Sequence, residues 1–154
     1  MQELSQAGKL ALGSDSRLSG EFDLLAELRA AHQTGQLSPQ ALFRSVTLDA
    51  ARLLRLREGG RGRIVPGGPA DLVLLPPPAG TDPFARLLDL TRARIELVLL
   101  AGQPAVGSPR MQPVFEAART RFGSVTVDGT EKLLSQALIE RVRKSSVGER
   151  GLQV

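Results

Sequence analysis

Any chemistry in this chain has to start from carboxylates and hydroxyls, because its 154 residues hold one histidine, His32, and no cysteine. The densest run of candidates is Gly13-Ser14-Asp15-Ser16 followed by Glu21, Asp23 and Glu27. A catalytic zinc generally takes about three protein ligands, and so few nitrogen and sulfur donors cannot cage one. Hard cations accept oxygen ligands, and Asp23 and Glu27 share a helix face, which leaves a weak Mg²⁺ or Ca²⁺ contact open. Charges at a helix start and on a solvated face explain the same residues more simply. His32 falls near the end of an expected helix, where an imidazole suits the local negative potential. Asp71, in a turn entering a strand, is expected to bond nearby backbone donors. Ser14 and Ser16 have no histidine base in the local pattern. Gly67 and Gly68 lack the Lys-Ser/Thr and following helix of a phosphate loop.

Composition narrows the partners. Twenty Lys+Arg against 16 Asp+Glu leave a net charge of +4, but the arginines are scattered, Trp and Tyr are absent and aromatics reach 3%. A nucleic-acid binder gathers its cations into a patch and adds stacking aromatics, so nucleic acid is not an expected partner. No apolar run approaches the roughly 20 residues of a membrane helix, and the first ten residues lack the pattern of a secretory signal. The expected location is the cytoplasm, with no membrane partner.

The elements that must carry these residues follow from punctuation and period. Residues 9–13 (KLALG) are a short apolar run between Gly8 and Gly13, which suits a buried strand. Residues 21–34 place Phe22, Leu25, Leu28 and Ala31 at spacings of three, an amphipathic helix capped by Ser19 and stopped by Gly35. Ser38-Pro39 opens a second helix with the stripe Leu42, Val46, Ala50, Leu53 and Leu54, ended by Gly59-Gly60. Short strands are expected at 63–65, 71–75, 95–100 and 105–106, and a helix at 82–90. The tail offers a helix at 111–122, a strand at 124–127, a turn at Asp128-Gly129, a helix at 131–144 and a frayed end at 145–154.

At GKLALGSDS, followed by FDLLAELRAA, the chain resembles the last barrel strand and following helix of the amidohydrolase superfamily. The resemblance continues through VTLDAA at 46–51, GRIVPGGPADLVLL at 62–75 and IELVLLAGQPAV at 95–106, spanning about residues 3–107. It implies the α+β end of a TIM-type (β/α)₈ barrel, then part of a composite β-sandwich and a helical tail. The corresponding divisions are 1–58, 59–110 and 111–154. It also implies a metal-dependent hydrolase of non-peptide C–N bonds, deaminase-like, with a divalent metal (zinc first) and a small-molecule substrate. Asp15 matches the family aspartate that contacts the metal and shuttles the proton. A carboxylate beside a metal-bound water, whose pKa the ion lowers towards about 7, can serve as base and then acid. Ser14 stands where the family usually has Thr, and the family's metal histidines have no counterpart here.

The chain alone is therefore expected to bind no metal tightly and to be inactive. Such a piece would be a marginal, association-prone monomer. Met1 aligns inside the family helix before the eighth strand, which points to a fragmentary gene, a late start codon or a true split subunit. The alternative function is a non-catalytic interaction module, or a subunit that completes a partner chain supplying the rest of the barrel.

Overall fold

The computed structural model describes residues 1–14, 20–56, 58–77, 80 and 82–154, and divides into two units. Met1–Pro69 with Pro78–Thr91 form the first, and Ala70–Pro77 with Arg92–Val154 the second.

The first unit is helical. Its helices are α1 (Gln2–Gln6), α2 (Leu24–Gln33), α3 (Pro39–Ser45), α4 (Leu48–Leu53) and α5 (Pro83–Leu88). Local chemistry starts three of them. The Asp23 carboxylate accepts from Ala26 N at 2.9 Å, Ser38 Oγ from Ala41 N at 3.2 Å, and the Asp82 carboxylate from Phe84 N at 2.9 Å. Prolines 39 and 83 occupy first helical positions, where no backbone donor is lost. Leu28, Leu37, Leu42 and Leu88 form the core, with Leu10, Leu12 and Leu25 packed on it.

The second unit is a six-stranded antiparallel sheet in the order β1-β2-β3-β5-β4-β6, with helices α6 (Gln112–Ala117) and α7 (Gln136–Lys144). Its strands are β1 (Leu72–Leu74), β2 (Leu97–Leu100), β3 (Gln103–Gly107), β4 (Phe122–Val127), β5 (Thr130–Ser135) and β6 (Leu152–Gln153). Two-residue turns join β2 to β3 and β4 to β5. Their central residues, Ala101 and Gly102, then Asp128 and Gly129, all have positive φ, the handedness that matches strand twist. Phe115, fully buried, packs with Leu97 and Leu133 and meets Phe122 edge-on at 5.2 Å between ring centroids. Val125, Leu134 and Ile139 form a second cluster.

This architecture corrects several expectations. The chain is α+β, but it is neither the end of a barrel nor part of a sandwich. Among the described residues every strand pairing is antiparallel and lies in one sheet. Residues 9–13 form no strand. A parallel strand needs a neighbour reached by a crossover of a dozen or more residues, and none stands beside it among the described residues; Leu10 and Leu12 instead pack on the helical core. The expected helix across 39–58 is two helices. Between them Thr47 leaves helical geometry at φ −124° and ψ −100°, and its hydroxyl bonds Phe43 O at 2.8 Å, a side-chain competitor for backbone acceptors. Helix α2 starts on Asp23 rather than Ser19, which lies outside the described residues. Residues 63–65 form no strand, because turns close on both sides (Arg63 N to Gly60 O, Gly68 N to Val65 O) and leave Ile64 87% exposed.

The tail is not helical throughout. It supplies three of the six strands; of the helix predicted at 131–144, residues 131–135 are strand and Gln136–Lys144 are helix. The Asp128-Gly129 turn fixes that outcome, folding Thr130–Ser135 back along β4 over six paired positions. The expected frayed end holds β6, with Leu152 opposite Val127.

Candidate functional site

The residues singled out in the sequence divide sharply. Asp15, the one expected to be catalytic and metal-contacting, lies outside the described residues, as does Ser16. Ser14 is exposed. The nearby acids are engaged in shaping α2. Asp23 caps the helix, and Glu27 Oε1 accepts from the backbone N of Glu21 at 2.6 Å. His32 is exposed in the last turn of α2, and its carbonyl accepts from Gly35 N at 3.0 Å, closing the helix end. Asp71 ties the sheet: its Oδ1 accepts from Ala101 N at 2.7 Å, bracing the β2–β3 turn. Among the described residues, no group of three or more His, Cys, Asp or Glu side chains could hold a metal ion.

One carboxylate escaped the sequence reading as an individual residue. Asp49, in α4, is 3% exposed. Arg44 Nε donates to its Oδ2 at 3.1 Å and Arg44 Nη2 to its Oδ1 at 3.0 Å, a two-pronged match of planar groups. The hydrogen bond and charge of Asp49 raise the Arg44 guanidinium above its ordinary value. A buried carboxylate without such a partner would be costly. The signal available in the sequence was the arginine five residues before an aspartate on a helical stripe.

In the sheet unit a second polar cluster ties the segment before β2 to the residues after β3 and to β5. Glu96 Oε2 accepts from Ser108 Oγ at 2.7 Å and from Arg110 Nε at 2.8 Å. Burial pushes the Glu96 carboxyl up, but the hydrogen bonds from Ser108 and Arg110 outweigh it and hold the group below its usual range. Lys132, in the middle of β5 and 3% exposed, donates from Nζ to Ile95 O at 2.7 Å. Burial pushes its ammonium below the ordinary lysine value, with the Glu96 charge opposing the shift. Perturbed amines of this kind occur at reaction centres. Here the amine is enclosed and turned onto a backbone carbonyl, so it ties strands together.

The sheet unit carries an open groove of about 560 Å³, lined by Phe115, Glu116, Arg119, Arg121, Phe122 and Glu140 among others. Two acids and two arginines flank the aromatic pair. Its form is that of a surface for contact, not an enclosed chamber that would exclude water from a reaction.

Comparison with protein-family models, with curated proteins and with solved structures gives no match to the chain. Among the described residues no helix is long and apolar enough to cross a membrane.

Proposed function

We propose that the chain is a segment of a metal-dependent hydrolase of the amidohydrolase type, acting on a non-peptide C–N bond in the manner of a deaminase, and inactive by itself. The observation that carries this reading is the order of four motif segments along residues 3–107: GSDS, VTLDAA, GRIVPGGPADLVLL and IELVLLAGQPAV. The reading concerns chemistry and not the barrel architecture, which the antiparallel sheet excludes for this chain. Asp15 is the residue that would contact a divalent metal, zinc first, and would pass the water proton to the leaving group. The remaining ligands come from elsewhere, because one histidine and no cysteine cannot supply about three. The small-molecule substrate belongs to the assembled enzyme, and its location is the cytoplasm.

The test is metal loading. Stripped with chelator and reloaded with zinc, the chain alone retains less than about 0.1 equivalent. Paired with a segment bearing a His-x-His motif and two further histidines, it retains stoichiometric zinc, and Asp15→Asn abolishes turnover. Stoichiometric zinc together with turnover by the isolated chain overturns the reading.

The edge of the sheet favours a second reading, a subunit that adds its strand to a partner chain. Strand β1 is terminal in the strand order, and Val73 and Leu74 are exposed on it. A monodisperse chain whose β1 amides gain protection from exchange on mixing with the histidine-bearing segment supports it. Unchanged β1 exchange on mixing dismisses it.

A further inference from the structure

The last ten residues are gripped at the tip of the β4–β5 hairpin, and Arg92 is the hub. Its Nε donates to Asp128 Oδ2 and its Nη2 to Asp128 Oδ1, each at 2.8 Å, while Nη1 donates to Glu149 Oε1 at 2.7 Å. Nη2 also donates to the carbonyl of Arg150. The hairpin contributes its backbone as well, through Asp128 N to Gly151 O at 2.7 Å. Beyond that point Leu152 and Gln153 pair with Val127 and Thr126, and Leu152 packs against the Val125, Leu134 and Ile139 cluster.

Glycine at 151 is required twice over. Its φ of 80° is unfavourable for other residues, and a Cβ there would run into the Asp128 carboxylate and the Arg92 guanidinium.

The strap and the hairpin beneath it are held by different forces. The β4–β6 ladder has two paired positions and the β4–β5 ladder six. Strand β5 buries Leu133 and Leu134, whereas the Asp128 and Glu149 side chains in the grip are 35% and 46% exposed. Ion pairs at that exposure are screened by salt, while apolar burial is not weakened by it.

We propose that residues 145–154 are a strap clasped by Arg92 that opens as a separate, salt-sensitive step while the β4–β5 hairpin stays closed, baring the outer edge of β4. Closed, the strap shields part of an edge strand that would otherwise offer unpaired backbone groups to another chain.

Hydrogen exchange on the full chain tests this. Raising NaCl from about 0.05 M to about 1 M speeds exchange of the Asp128 amide roughly tenfold, while amides paired between β4 and β5 change less than about twofold. Arg92→Ala and Gly151→Ala, the second of which keeps every charge, produce the same selective loss at low salt. Unchanged Asp128 protection at high salt in the unaltered chain overturns the proposal. So does joint loss of protection at Asp128 and in the hairpin. The salt series needs no variant to fold.

Discussion

In the unit formed by Met1–Pro69 and Pro78–Thr91, three of the short helices begin on side-chain caps, and the core between them is built of leucines. In the unit formed by Ala70–Pro77 and Arg92–Val154, two hairpins with tight turns are joined by pairings between strands distant in sequence and closed over an aromatic pair. The helical unit draws on many small local decisions, each worth about 1 kcal/mol. The sheet unit concentrates its stability in a few long-range contacts. The same kind of substitution should therefore cost very different amounts in the two.

The largest effect expected is in the sheet. Phe115→Ala should lower stability by about 4 kcal/mol in urea unfolding, with exchange protection lost first in β3, β4 and β5. A cost under about 1 kcal/mol would mean that the aromatic pair is not the anchor and that the contrast between the units is false. Ser38→Ala, which deletes the hydrogen bond to Ala41 N, should cost about 1 kcal/mol and should speed exchange within α3 while leaving the sheet amides alone.

The smallest effect is one of pH. Lys132 donates to Ile95 O beside the Glu96 charge, which Ser108 and Arg110 hold, and burial depresses its folded value below the unfolded 10.5. Below the folded value both states are protonated and the burial penalty is complete. As pH rises from there towards 10.5, the unfolded chain holds more protons, so stability increases. Urea midpoints should climb across that window in the unaltered chain and stay flatter in Lys132→Met. An identical slope in both would show that Lys132 is not the group responsible.

The two units also differed in how far the sequence disclosed them. Ser38-Pro39, Asp82-Pro83, Ala101-Gly102 and Asp128-Gly129 each encode a local backbone state, and a helix start or turn stands at each of them. Periodicity served less well. The apolar stripe from Leu42 to Leu54 continues across Thr47, so it reads as one helix, although Leu53 and Leu54 are exposed and Thr47 interrupts the turn. At 131–135 the leucines suit a helix face, but the turn before them had already committed the chain to a hairpin. The run at 9–13 looks like a strand because an apolar pentapeptide is compatible with any buried place; a strand also needs a neighbour, which local sequence does not specify. Of the polar residues, Asp23 was expected as a charge at the helix start and is the cap itself, while Asp71 was expected to bond nearby backbone donors and instead accepts from Ala101 N, 30 residues away. Lys132 and Arg92 were invisible because their partners lie tens of residues away, whereas Asp49 was missed although its partner Arg44 stands only five residues before it.

The route of the backbone carries one more consequence. Between β1 and β2 the chain leaves the sheet unit, spends Pro78–Thr91 in the helical unit, and returns at Arg92. No single cut can release either unit whole. A truncation that starts at Arg92 discards β1, and one that stops at Pro69 discards α5 together with Leu88. Anyone dividing this protein for expression must keep all three crossings intact or rejoin the helical unit by permuting its order.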